Sequence, residues 1–186
     1  MSKDALDVAF ICTGNRFRSP LAAAALAAER PDLSLRISSF GILELGAASA
    51  LPEAVELAGA FGLDLSAHRA QSVMKADLER FDLVLGFEHH HVAAAVVDAG
   101  SRLDRTFTQP ELVSLLEMAR DPRVTAGPLA RACARIRAAH AARPPDFRNR
   151  PVPEVADPLG RSRAVQQKIA DELRASVSAL ASRLFD

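Results

Sequence analysis

The chain has 186 residues, 49% of them hydrophobic, enough for one domain with a sizeable core. Its 23 Lys and Arg balance 23 Asp and Glu, so nothing signals a general polyanion-binding role, and no nucleic-acid partner is expected. Two cysteines, Cys12 and Cys133, are too few for a disulfide scaffold. No apolar run approaches the roughly 20 residues that span a bilayer, and "MSKDALD" lacks a signal peptide's apolar core. The expected setting is the reducing cytoplasm, away from membranes.

Apolar segments then alternate in length and type along the chain, as in a protein of βα repeats. "DVAFIC" (7–12) reads as a buried strand. "SPLAAAALAAER" (19–30) reads as a helix with Ser19 as N-cap, Pro20 at its first position and Pro31 as its stop. "LSLRISS" (33–39) alternates and reads as a second strand, and "LPEAVELAGAFG" (51–62) as a helix ended by Gly62. A third strand is expected near 82–86, a helix over 89–100 closing on Gly100, and a short strand at "DRTFT" (104–108). Thr108 and Glu111 match a capping box for a helix over "PELVSLLEMA" (110–119). "PLARACARIRAAHAA" (128–142) and "RAVQQKIADELRASVSALASRLF" (163–185) are the last helices. No repeat or linker divides the chain, so one α/β domain over 1–186 with a short parallel sheet is expected.

The chemistry gathers where the first strand meets the first helix. In parallel α/β folds ligands bind beyond the carboxyl ends of the strands, at helix N-termini. The loop "CTGNRFRS" (Cys12–Ser19) there forms a concavity of backbone N–H groups suited to an anion. Gly14 allows a tight turn, Asn15 can pin the loop, and the Arg18 guanidinium offers two parallel donors to a phosphate-like group. Such a nest stabilises the nucleophilic thiolate form of a cysteine at its foot. A cysteine ending a strand often serves only as a small buried hydrophobe. Strand, Cys12, Gly14-Asn15, Arg18 and Ser19-Pro20 in one grammar outweigh that reading.

"FICTGNRFRSP" resembles the signature of the low-molecular-weight protein tyrosine phosphatases, Cys-x-Gly-Asn-x-x-Arg-Ser-Pro after a hydrophobic strand. The resemblance extends to "SSFG" (38–41), "DLSAHRAQSV" (64–73), "FDLVLGFEHHH" (81–91) and "VADPLG" (155–160), and leaves out roughly 109–150, read as an arginine-rich helical elaboration. It implies a three-layer α/β sandwich, a four-stranded parallel sheet flanked by helices. It implies a phosphomonoester hydrolase with Cys12 as nucleophile, Arg18 as phosphoryl ligand and Asp157 as general acid. Thr13, Gly14, Asn15, Arg16, Phe17, Arg18 and Ser19 would bind the phosphate, without metal or other cofactor. Ser19, Asn15 and His68 would support the loop, with Arg69 bracing it beside His68. The implied substrate is a phosphotyrosine protein or a small aryl phosphate.

The chain departs from the family in places. Leu159 follows Asp157-Pro158 where phosphotyrosine-specific members carry an aromatic residue, and the chain has no Tyr or Trp. Phe17 is the nearest aromatic candidate for a cleft wall, and "ILELGAA" (42–48) offers aliphatic ones. Phe17 also stands where many members carry a second cysteine. Arsenate reductases share this loop, which makes arsenate reduction with an external thiol the alternative activity, Cys133 being an improbable resolving thiol. Residues 123–150 hold seven arginines against one acid, Asp146, and read as a solvated face able to recruit an acidic phosphoprotein. His89, His90 and His91, adjacent on a helix, are expected to diverge into solvent rather than chelate a metal.

Overall fold

The computed structural model describes residues 4–122, 124, 127–147 and 151–186. The first strand, β1 (Leu6–Cys12), is buried at every position. An unalternating apolar run is what a parallel strand covered on both faces requires. Strands β2 (Leu35–Gly41), β3 (Leu83–Gly86) and β4 (Thr106–Thr108) join it in the order β2-β1-β3-β4, all parallel. The register sets Cys12 beside Gly41 and Ile11 beside Gly86, so three strands end together at one edge.

Helices α1 (Arg18–Glu29), α2 (Pro52–Ala60), α4 (Gln109–Met118), α5 (Pro128–Ala141) and α6 (Arg163–Phe185) pack with β1 residues Leu6, Val8, Phe10 and Cys12 in the main core. The opposite face, with Ala9, Ile11 and Val84, is covered more thinly by 3₁₀ turns around Val73 and Leu78 and by Ala95. Helix α6 is the spine: its buried residues Ile169, Leu173, Val177, Leu180 and Leu184 recur at helical spacing. The three-layer arrangement is the one expected.

Several local expectations need correction. Helix α1 starts at Arg18, and Ser19 is not its N-cap: Phe17 holds that position, with no side-chain cap. The Ser19 hydroxyl lies inside the first turn and serves buried partners in the loop instead. The helix expected over 89–100 is a short α3 (His89–Ala93) followed by one π-turn through Asp98, before Gly100 turns the chain at φ 71°. The Thr108–Glu111 capping box is present in both directions.

The arginine-rich segment is not simply a solvated face. Arg143 is only 9% exposed: it donates to Glu111 at 2.8 and 3.0 Å and to the carbonyls of Leu103 and Thr106, over the ring of Phe107. Arg135 pairs with Asp121, and Arg131 donates to the Asp186 carbonyl. Arg143 ties the end of α5 to α4 and to the start of β4, while Arg135 ties α5 to the segment after α4 and Arg131 ties it to the end of α6. Arg123, Arg148 and Arg150 lie outside the described residues. Removing Arg143 strands the Glu111 carboxylate in the interior, so Arg143→Ala is expected to destabilise by about 3–5 kcal/mol in urea unfolding. A loss under about 1 kcal/mol, the range of exposed pairs, would contradict a structural role for it.

Candidate active site

Asn15 organises the loop between β1 and α1. It is the one non-glycine described residue with positive φ, at 52°, a conformation Asn tolerates better than most side chains. Its side-chain Nδ2 donates to Ser19 Oγ and Ser39 Oγ, each at 2.8 Å, and its Oδ1 accepts from Gln71 N at 2.8 Å. Its carbonyl accepts from His68 Nε2 at 2.7 Å, which requires the proton of His68 on that nitrogen. Gly41 is obligatory beside it, because a Cβ there would lie 2.9 Å from Asn15 N. His68 thus hydrogen-bonds the loop at Asn15. Arg69 does not share this contact, for its guanidinium bonds the carbonyls of Ser66 and His68.

The Cys12 sulfur sits at the foot of this loop, 3.2 Å from Asn15 N, which donates to it, and 3.0 Å from Ser19 Oγ. Arg18 is 2% exposed and reaches over the same space. Its Nη1 donates to the Glu88 carboxylate and to the Val155 carbonyl at 2.9 Å. Its Nη2 donates to Asp157 Oδ2 at 2.7 Å and to Thr13 Oγ1 at 3.2 Å. The sequence suggests a guanidinium aimed at an anion; the structure adds four protein acceptors that hold its plane. Asp157 is carried by the segment before α6, which the bond from Val155 N to Phe87 O fastens to the end of β3.

Cys12, Thr13, Gly14, Arg16, Phe17, Arg18 and Asp157 thus line one cleft of about 100 Å³, together with Leu43, Leu45, Leu51 and Leu159. That is small beside the roughly 300–1,000 Å³ of clefts that engulf a drug-sized ligand. The walls are aliphatic, as expected: Leu159 is 67% exposed and Leu43 49%. Phe17, buried in the main core, contributes the floor more than a wall.

Sequence reasoning missed Glu88, Ser39 and His91. His91 was expected in solvent and is fully buried. Its Nδ1 accepts from Phe87 N and Glu88 N, and its Nε2 lies 3.1 Å from Thr13 Oγ1. Gly86 makes room, since a Cβ there would meet the His91 Cβ at 2.8 Å. Nor do the adjacent histidines diverge: the His90 and His91 rings lie 4.1 Å apart, and ligand atoms of Glu88, His90 and His91 fall within 4.8 Å. Glu88 and His91 are already engaged by Arg18, two backbone N–H groups and Thr13, so a cation there would dismantle the anion loop. Cys133 lies elsewhere. It lines a cleft with Asp82, Arg102 and Asp104, at the end of the sheet where β3 and β4 begin.

A sequence model of the low molecular weight phosphotyrosine protein phosphatase family matches residues 7–117. The chain belongs to that family. It is 34% identical to the protein-arginine-phosphatase of Bacillus subtilis over 112 residues, 59% of this chain and 73% of that protein. It is 41% identical over 75 residues to the probable low molecular weight protein-tyrosine-phosphatase EpsP of Ralstonia nicotianae, 40% of this chain; the match spans half of that relative. The crystal structure of the family member from T. tengcongensis superposes with a TM-score of 0.72 at 27% identity, covering 96% of this chain and 99% of that one. The chain is therefore a phosphatase by family, and arsenate reduction is not favoured.

Burial lowers the His91 pKa to about 3, with His90 and Arg18 adding to the effect, and burial also lowers that of His68. Between about 3 and the unfolded value near 6.5, the unfolded chain binds more protons than the folded one. The stabilisation is complete above pH 6.5 and is lost as pH falls, by up to about 1.4 kcal/mol per pH unit for His91. Urea unfolding at pH 7 and pH 5 should show that loss, and His91→Asn should flatten it. An unchanged slope in the variant would mean that His91 is not buried neutral.

Proposed function

We propose that the protein hydrolyses phosphotyrosine in proteins, and small aryl phosphates, through a phosphocysteine intermediate. What carries the reading is the Cys12 sulfur beneath a loop of backbone N–H groups, with Arg18 and Asp157 over the same cleft. Cys12 attacks phosphorus, an S–P bond forms, and the ester P–O bond breaks. Asp157 protonates the leaving phenoxide, and its carboxylate then takes a proton from the water that attacks the phosphocysteine. The S–P bond breaks, releasing inorganic phosphate and restoring the thiolate.

Thr13, Gly14, Asn15, Arg16, Phe17, Arg18 and Ser19 provide the backbone and side-chain donors of the phosphate site. Arg18 stays anchored by Glu88 and Val155 while its Nη2 exchanges Asp157 for a phosphoryl oxygen, which frees the carboxyl for the leaving group. Ser19, fixed by Asn15, donates to the thiolate when it leaves. Arg16 supports an aryl substrate over phosphoarginine. Its Nε is held by the Ser49 carbonyl at 2.7 Å, leaving a cation at the cleft that would repel a guanidinium and attract the face of a phenyl ring. A reducing cytoplasm suits a free thiol in this role.

Cys12→Ser is expected to abolish p-nitrophenyl phosphate turnover while retaining phosphate binding; undiminished turnover would sink the covalent mechanism. Arg18→Lys keeps the charge and loses the fork, so kcat and phosphate affinity should both fall. Because the loop and Arg18 supply the positive field, EDTA should leave turnover unchanged.

The role of Asp157 can be read from leaving groups. Asp157→Ala should slow phenyl phosphate by roughly 10²–10⁴-fold and p-nitrophenyl phosphate, whose leaving group departs unprotonated, much less. Parallel dependences of kcat on leaving-group pKa in parent and variant would assign the acid to another residue.

A further inference from the structure

The hydrogen-bond arithmetic around Thr13 has only one solution. Two backbone N–H groups, those of Phe87 and Glu88, point at His91 Nδ1, so that nitrogen must present its lone pair. The ring is buried beyond charging, as its lowered pKa shows, and its single proton is therefore on Nε2. Nε2 faces Thr13 Oγ1 at 3.1 Å and donates to it. Arg18 Nη2, which has only protons to offer, donates to the same oxygen at 3.2 Å. Both acceptor positions of the hydroxyl are thus filled, and its own proton has no acceptor among the described residues. Thr13 lines the cleft beside Cys12.

We propose that the Thr13 hydroxyl donates directly to the phosphoryl group, and that His91 is the positioning residue that turns its proton toward the cleft. The inference rests on the anion-loop reading above. Without His91, Thr13 Oγ1 keeps one free acceptor position and its proton becomes free to rotate. His91 thereby links the end of β3 to the anion loop, and Gly86 is the position that lets it approach so closely.

The test uses His91→Asn, whose Oδ1 can still accept the Phe87 and Glu88 N–H groups but whose amide is too short to reach Thr13, and the near-isosteric Thr13→Val. Competitive inhibition by inorganic phosphate and the kcat and KM for p-nitrophenyl phosphate are measured for the parent, both single variants and the double variant. Each single variant is expected to weaken phosphate by about 10–150-fold, as loss of one hydrogen bond to a charged group does. The double variant should be no worse than Thr13→Val, because His91 acts only through the hydroxyl. Unchanged phosphate inhibition in His91→Asn, or losses that multiply in the double variant, would overturn the proposal.

A second measurement needs no substitution. Nitrogen-15 NMR of the parent should show His91 as the neutral Nε2-protonated tautomer from pH 5 to 8, and inorganic phosphate should shift its Nε2–H resonance. An Nδ1-protonated ring, or an imidazolium in that range, would overturn the proposal even if the variants fail to fold. A parent that hydrolyses no aryl phosphate would instead overturn the anion-loop reading, and the role of Thr13 with it; active parent with unaffected variants removes the role of Thr13 and His91 alone.

Discussion

A guanidinium at 2% exposure must be surrounded by acceptors, and the arrangement of this protein's working edge follows from meeting that demand at Arg18. No single segment could do so. Glu88 comes from just after β3, Val155 and Asp157 from the approach to α6, and Thr13 from the loop that carries Arg18 itself. Three separated pieces of chain are thereby drawn over the end of β1. The charge that would bind a phosphoryl group also fastens the segment bearing Asp157. Assembly of the site and closure of this edge of the fold are one event.

The thiol is supported in a different way. Around Cys12 the partners are neutral: Asn15 N, Ser19 Oγ and, through Asn15, Ser39 and Gln71. Hydroxyls and amides fixed by other hydrogen bonds offer oriented dipoles without a second full charge that would itself need burial. A lysine in place of this network would have demanded its own counter-ion beside the sulfur. The two sides of the cleft differ: a guanidinium paired with the Glu88 and Asp157 carboxylates stands over it, and oriented dipoles stand beneath it at Cys12.

What could be read from the sequence was local. The apolar run Val8–Cys12 announced β1, helical spacing announced α6 over its full observed length, and Thr108 with Glu111 announced α4. Cys12, Arg18 and Asp157 could be named as candidates because short stretches of residue types carry them, and the fold brings the three to one cleft. Glu88 and His91 escaped because their meaning lies in contacts 70 and 78 residues away along the chain. A run of three histidines resembles a solvated helix start, and nothing in the run says that its third member is buried. One signal was available: Gly86 at the end of an otherwise large-residue strand marks a place where something must come close. Arg143 was hidden likewise, since a charge-rich segment gives no sign of which arginine turns inward to Glu111.

The cleft divides recognition between a rigid floor and an undemanding wall. Its loop is already held, without a ligand, by the bonds of Asn15 to Ser19, Ser39, Gln71 and His68, so much of the ordering cost of binding an anion there is met during folding. The Leu43, Leu45 and Leu159 walls are partly exposed and carry no hydrogen-bonding atoms in their side chains, so they reward apolar contact without enforcing the shape of a ring. An aromatic pair would have imposed a slot, with the preferred centroid distances of stacked rings. Aliphatic walls leave discrimination among phosphorylated side chains to charge, and Arg16 is the charged side chain at the cleft that the Arg18 network does not hold. On the proposed phosphatase reading, selectivity at this site would rest more on the sign of what accompanies the phosphoryl group than on the outline of the group that carries it.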